Sequence, residues 1–478
     1  MDWTGGNQDP SVGMKRTKLI LLALLISLNG PLTQAAGPKK ANVLLLIVDD
    51  LNTWMLNKPG RYSGKVIAPN IKRLAESGVQ FSQAFAASPK CSPSRTALLM
   101  GLAPWHSGHT DNGLKIRDNP VLAKAVSFPK LFQEQGYFMA TSGKISHGYK
   151  DGVNWDQTWR HKRDPAPPGT PFNGFAIGKN GKLTERDWGV THLKESEMND
   201  TRVADSAIKA LKMKHEHPFF IACGLFHPHM PWYVPQKYFD LYPLAEIKLP
   251  PMKADDLEDI PEPGRKLISD TYYQALEHNQ YRQGVQAYLA TTTYADAQMG
   301  RVLDTLENSP YRDNTIVVLI SDHGFHVGEK HHWQKGTMWE EGANSLMMFR
   351  VPGLTQAKQI CEHPVSLMDL YPTIVELVGI KKPGHVYGNS LVPLLHDAST
   401  PHDHPVFTAY QDHISIRTER YRLIQYADGS KELYDLSMDP FQYVNQAKRL
   451  SNSKIVAELS EQLPAVEMLD YVRGNRAR

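Results

Sequence analysis

The amino-acid sequence predicts an α/β fold. A large, mostly parallel sheet lies between helices, and a small antiparallel β subdomain follows at the C-terminal end. Three observations lead there. Short, continuously apolar runs recur along the chain, amphipathic helical stretches lie between them, and the texture changes near residue 400.

The apolar runs are NVLLLIV (42–48), YFMATS (137–142), PFFIACGLF (218–226), TIVVLI (315–320) and LMMFRV (346–351). Continuous apolar character suits strands covered on both faces, as in a parallel sheet. Between them, APNIKRLAESG puts Ile71, Leu74 and Ala75 on one face and stops at Gly78. A long helical region spans 270–309, bent or split near Gly284, and SLMDLYPTIVELVG reads as another helix. The stretch 150–200, rich in Gly, Pro, Trp and charge, reads as a surface insertion where specificity could reside. From residue 400, PVFTAYQ, ISIRTERYRLIQY and KELYDL alternate like short strands joined by turns such as ADGS, with a closing helix near 453–465.

The chain therefore divides into residues 1–36, a main α/β domain over 37–399 and the β-rich part over 400–478. The first segment has a basic start (Lys15 to Lys18), an apolar stretch (Leu19 to Leu28) and small residues at Ala35 and Ala36. That is a secretory signal pattern, too short for a comfortable membrane span, and it implies a secreted or periplasmic protein without an integral membrane domain. An uncleaved anchor is the alternative. The residues before Met14 fit no signal, which makes Met14 the alternative start. With 53 basic and 50 acidic residues in 478, the chain has no polyanion-binding signature, which excludes nucleic acid as the expected partner. An anionic ligand must be held by a local group of cations.

In an open parallel sheet, ligands bind outside the carboxyl ends of the strands. Four apolar runs are followed by chemistry at that point: Asp49 and Asp50; Lys144 and His147; His227 and His229; Asp322 and His323. Asp49, Asp50 and Asp322 show no evident counter-charge, so bringing them together calls for a cation. Oxygen-rich ligation favours Ca²⁺ or Mg²⁺, with His323 a less usual ligand for Ca²⁺. Arg95, Lys144 and Lys335, with His147 and His229, would form an anion pocket beside it. Each has a plainer reading: Arg95 as a structural ion pair, Lys144 and His147 as solvated groups, His229 as a packed histidine. The chain has three cysteines, an odd number for an exported protein. Cys223 lies in an apolar run and reads as core. Cys91 opens a helix, where free N–H groups favour an anion.

CSPSR (91–95) matches the sulfatase modification motif Cys-x-Pro-x-Arg. NVLLLIVDDL, APNIKRLAESGVQF, GYFMATSGKISHG, PHMPW, SDHGFHVGEKHHWQK and ELYDLSMDPFQYVNQA resemble further sulfatase segments, over roughly residues 40–450. The sequence is identified as resembling a type I sulfatase of the alkaline phosphatase-like superfamily, closest to the iduronate 2-sulfatase branch. The resemblance implies that a maturation enzyme oxidises Cys91 to formylglycine. It implies that Asp49, Asp50, Asp322 and His323 bind Ca²⁺ with the modified Cys91, Mg²⁺ being the less favoured ion. Arg95 would hold the formylglycine hydrate, and Lys144, His147, His229 and Lys335 would contact the sulfate of a sulfated saccharide. His229 would protonate the leaving alcohol, and His147 would take the proton of the remaining hydroxyl. His227 departs from the basic residue common in this branch, and Ser345 from a common proline. Trp105, His106, Trp232, Phe325 and His326 stand beside the motifs as candidates to line the sugar pocket. A phosphate or phosphonate ester hydrolase on the same fold and a non-catalytic sulfated-glycan-binding protein are the alternatives.

Overall fold

The computed structural model describes residues 40–56, 61–112, 119–148, 152–160 and 162–464. The signal segment expected over residues 1–36 lies outside the described residues. Asn42–Val48 forms strand β1, and its alternation supplies two separate cores. Val43, Leu45 and Ile47 pack with Leu98, Phe128 and Ile374 on one face; Leu44, Leu46 and Val48 pack with Ala204, Met299 and Leu303 on the other. Both faces of the strand are covered, which is why its sequence is apolar throughout.

Eight further strands complete the sheet: β2 (Val79–Phe85), β3 (Phe138–Gly143), β4 (Gln157–Arg160), β5 (Phe219–Leu225), β6 (Thr315–Ser321), β7 (Asn344–Arg350), β8 (Gln359–Cys361) and β9 (Val365–Ser366). Their order is β8-β2-β7-β6-β1-β5-β3-β4, with β9 also on β2. All pairings are parallel except those of β7, which runs against both β2 and β6. The apolar run at 346–351 thus marks burial on both faces rather than strand direction. Apart from β7, the strands all end on the same edge, with β1 near the middle.

Among the helices are α1 (Pro69–Glu76), α2 (Cys91–Met100), α3 (Asn199–Leu211), α4 (Thr271–Glu277), α5 (Tyr281–Glu307) and α6 (Leu370–Leu377), with α7 (Ser453–Glu461) near the C-terminal end. The expected bend at Gly284 is not found. The break falls between α4 and α5, where Asn279 adopts a left-handed φ of 55°. Gly284 lies inside α5, at a position where a Cβ would come within 2.8 Å of the Trp333 ring. The 150–200 stretch is not only surface loop, since it supplies β4 at the edge of the main sheet. Four antiparallel strands, β10 (Val406–Tyr410), β11 (His413–Arg417), β12 (Tyr421–Gln425) and β13 (Lys431–Asp435), form the C-terminal sheet. Ala409 N–H and the Thr408 hydroxyl donate to the carbonyls of Ala87 and Ala86, tying that sheet to the segment that leads into α2.

Candidate active site

The parallel strands around β1 deliver the site. Asp49 and Asp50 follow β1 directly, and Asp50 turns the chain with a left-handed φ of 60°. Asp50 N–H donates to Asp322 Oδ1 at 3.3 Å, and Leu51 N–H to Ser321 Oγ at 3.1 Å, so the ends of β1 and β6 are laced together. Lys144 follows Gly143 at the end of β3. Gly143 must be glycine: its φ is +77°, and a Cβ would lie 1.9 Å from the Gly224 carbonyl oxygen. Cys91 is the first residue of α2, and Arg95 lies one turn on.

These side chains meet. Lys335 Nζ donates to Asp50 Oδ1 and Oδ2 at 2.6 and 2.8 Å, and to Cys91 Sγ at 3.2 Å. Arg95 Nη2 donates to Asp49 Oδ1 and Nε to Asp322 Oδ2, both at 2.9 Å; Nη1 reaches the carbonyls of Lys144 and Ile145. Lys144 Nζ donates to Asp49 Oδ2. The expectation that the three aspartates lack counter-charges is therefore corrected. Arg95, Lys144 and Lys335 all pair with them, through contacts between residues 46 to 285 positions apart that local sequence cannot show.

The charges set the protonation states. Burial alone would raise the Asp49 carboxyl, but Lys144 and Arg95 outweigh it and hold Asp49 well below its usual range. Asp50 is pushed up to about 7 by burial, with the negative charge of Asp49 and Cys91 adding to it against Lys335. Lys335 stays charged far above its usual value despite burial, because Asp50 and Cys91 face it. Burial, then Lys335 and Lys144, holds His229 well below its usual value. Burial with Lys144 and Arg95 takes His147 down to about 4. Both histidines are neutral at neutral pH.

His323 carries the strongest indication of a cation. Its Nδ1 lies 2.9 Å from the Gly324 carbonyl, which can only accept, so Nδ1 holds the hydrogen. Burial depresses its imidazolium form. The Nε2 lone pair then faces Cys91 Sγ at 3.4 Å, and Asp50 Oδ1 and Asp322 Oδ2 at 3.5 Å each. A lone pair aimed at two carboxyl groups and a thiol makes a donor set that a cation would complete. Ligands at right angles about 2.4 Å from an ion stand about 3.4 Å apart, so the spacing fits. Two buried donor groups overlap here: Asp49, Asp50, Cys91 and His229; and Asp49, Cys91, Asp322 and His323.

His229 donates from Nδ1 to the Met230 carbonyl at 2.6 Å, leaving Nε2 3.9 Å from Asp50 Oδ2. His147 belongs to neither donor group. It lines, with Lys144 and His229, a cavity of about 960 Å³. His227 turns away: its Nδ1 lies 2.7 Å from Asp200 Oδ2 at the start of α3, so it makes a buried pair and does not line that cavity. Trp232, Phe325 and His326 do not line a sugar pocket either. They are fully buried, the two aromatic rings in a core with Trp188 and Trp333, and His326 between the Glu329 carbonyl and the Thr337 hydroxyl. Trp105 packs on Phe407, and His106 stacks on Tyr387. Sequence reasoning missed Arg160 and Arg163, which line the cavity; the signal was the short alternation QTWR in the stretch read as insertion. The other thiols are inert by contrast: burial pushes Cys223 up to about 12 and Cys361 to about 11.

The family model described as Sulfatase matches residues 41–380, most of the chain. The protein belongs to the sulfatase family. A second model, N-sulphoglucosamine sulphohydrolase, C-terminal, matches residues 328–468 of this sulfatase. The sulfatase is 35% identical over 441 residues to a sulfatase of Formosa agariphila, covering 89% of this chain and 86% of that one. It is 29% identical over 412 residues to iduronate 2-sulfatase of Homo sapiens, covering 76% and 74%. Among solved structures, a phosphonate monoester hydrolase from Silicibacter pomeroyi matches with TM-score 0.73 at 20% identity, over 91% of this chain and 96% of that one, a likeness of fold. The sulfatase is thus an enzyme of sulfate-ester hydrolysis on the alkaline phosphatase-like fold. The family generally implies a divalent metal and formylglycine, and the buried donors around His323 fit a cation.

Proposed function

We propose that this sulfatase removes sulfate from a sulfated carbohydrate, with a 2-sulfated uronate as the first candidate, through formylglycine formed at Cys91 beside a Ca²⁺ site. The observation that carries this reading is the meeting of Lys335 Nζ and the His323 lone pair on Cys91 Sγ, within a ring of three carboxylates. When formed, formylglycine supplies as its hydrate a nucleophilic oxygen and a second hydroxyl that allows sulfate to leave. Asp49, Asp50, Asp322 and His323 would hold Ca²⁺, which contributes positive charge beside the reacting group. An all-protein donor set suits Ca²⁺ better than Mg²⁺, which keeps several waters.

The remaining roles belong to the side chains. Arg95 commits its guanidinium to Asp49, Asp322 and two carbonyls, so it fixes the carboxylates and the start of α2 together. Lys335 and Lys144 offset the charge on the sulfuryl oxygens. An anion seated between these lysines relieves their repulsion of His229, whose Nε2 can then take up a proton and give it to the leaving alcohol. His147, neutral down to about pH 4, accepts the proton of the second hydroxyl. Residues 1–36 direct export, to the periplasm or beyond, and a formylglycine-generating enzyme matures Cys91. Among the described residues no helix is long and apolar enough to cross a membrane.

The test is turnover by protein coexpressed with a formylglycine-generating enzyme. The panel holds disaccharides with a 2-sulfated uronate, other sulfated glycans, aryl phosphodiesters and phosphonate esters. Sulfate release from the 2-sulfated uronates alone is the expected result. Release only from other glycans keeps the chemistry and removes the uronate; faster phosphoester or phosphonate cleavage contradicts the reading.

A further inference from the structure

Lys144 and His229 at the edge of the cluster line the 960 Å³ cavity, and the charge of that cavity is one-sided. Lys144, Arg160 and Arg163 line it with two histidines, and no carboxylate is among its described lining residues. The register explains the placement. β4 pairs in parallel with β3, and Arg160 lies opposite Gly143, one residue before Lys144. Arg160 therefore stands at the carboxyl edge of the sheet, one strand spacing of about 4.8 Å out from the chain that carries Lys144. Phe226 joins the inner and outer parts: Lys144 Nζ lies 5.6 Å and the Arg163 guanidinium carbon 5.7 Å from its ring centroid.

The two arginines differ. Arg163 Nη2 is paired with Glu185 at 2.9 Å. Arg160 is exposed at the cavity, and no carboxylate among the described residues pairs with it. Beside it Trp159 leaves 40% of its surface to solvent, in a molecule that buries most of its other tryptophans. A guanidinium that no described carboxylate pairs, in one cavity with an exposed indole, suits an anionic sugar: the guanidinium takes a carboxylate or sulfate, and the ring takes a sugar face.

We propose that this cavity is a subsite for a second anionic group of the substrate, held by Arg160 with Trp159 against the adjoining sugar. The proposal rests on the sulfatase reading for the first anion, at the cluster, and adds a requirement for another negative group within one or two sugar units of the sulfate that is cleaved. It also explains how His227, turned into its pair with Asp200, need not supply the substrate-side cation.

The experiment measures binding by titration calorimetry to the full-length protein carrying Cys91→Ala, alone and combined with Arg160→Gln or Arg163→Gln. The probes are a disaccharide with a 2-sulfated uronate, the same disaccharide with its carboxylate reduced to the alcohol, a disulfated disaccharide lacking a carboxylate, and a neutral sugar carrying one sulfate. Arg160→Gln is expected to weaken binding of the doubly anionic probes about tenfold relative to the singly anionic ones, and Arg163→Gln to do less. Loss on the uronate probe alone assigns the group as carboxylate, and loss on the disulfated probe alone as sulfate. Equal losses on all probes, or none, overturn the subsite. Aryl sulfate turnover by wild-type protein is measured in parallel. Turnover with Arg160-independent binding sinks the subsite alone, and Arg160-dependent binding without turnover sinks the sulfatase reading alone.

Discussion

Two buried clusters of charge can be set side by side. One is the Asp49, Asp50 and Asp322 group with Arg95, Lys144 and Lys335. The other ties the C-terminal sheet to the main body: Glu340 accepts from Arg417 Nε at 2.7 Å on β11 and from Arg422 Nη2 at 2.9 Å on β12. Arg422 Nη1 also reaches the Met338 carbonyl and Ser415, and Arg417 Nη2 reaches Gln83. In the second cluster the guanidinium groups are directed at fixed oxygens, and the void beside it measures about 10 Å³, room for one water at most. In the first there are a thiol, a histidine lone pair facing carboxylates, two neutral histidines and a large opening to solvent. Buried charge by itself therefore does not mark function. What sets the proposed site apart is donor atoms without a fixed partner beside a cavity that reaches solvent.

The largest contrast comes from the nucleophile position. Cys91→Ala should lower sulfate release by more than about 10⁴-fold while leaving the thermal midpoint within a few degrees, because only a small side chain is lost. Removing the centre of the other cluster should do the reverse. Glu340→Ala leaves Arg417 and Arg422 buried without their shared partner, so chemical denaturation should show a loss of roughly 3–5 kcal/mol, with activity per folded molecule kept. Comparable activity loss in both variants, after correction for folded protein, would dissolve the distinction.

Lys335→Met sharpens the contrast inside the first cluster. It removes a charge from the reacting group and leaves Asp50 with less compensation, so kcat should fall about 10²–10³-fold. The smallest effect is one of pH. Burial pushes the Asp50 carboxyl up to about 7, so below that value a bound cation must displace a proton. Ca²⁺ affinity should weaken as pH falls through 7, by at most about tenfold per unit, and hold steady above it. Calorimetric titration between pH 5.5 and 8.5 checks this, and a flat profile would show that Asp50 does not ligate the ion.

Much of this was legible in the sequence because it is local. A strand buried on both faces needs an apolar run, so β1, β3, β5, β6 and β7 stood out, and of the residues after four of those runs Asp49, Asp50, Lys144, His229, Asp322 and His323 meet around Cys91, whereas His227 turns away to Asp200 and His147 lines the cavity. The direction of β7 was not legible, since burial leaves the same pattern in either direction. The break before α5 depends on the backbone at Asn279 and on room for Trp333 at Gly284, which is a tertiary matter. The pairing of Arg95 and Lys335 with the aspartates was hidden for the same reason. Trp232, Phe325 and His326 adjoin the motifs in sequence but point into the core, whereas Arg160 looked like loop and lines the cavity.

Sulfate-ester hydrolysis through formylglycine requires conversion of Cys91. The most direct measurement uses preparations of the wild-type chain made with graded amounts of a formylglycine-generating enzyme. Mass analysis of the Cys91 peptide gives the converted fraction in each, and sulfate release is measured on the same samples. Activity should be proportional to the converted fraction, with a line through the origin. Full activity in protein whose Cys91 remains a thiol would contradict it.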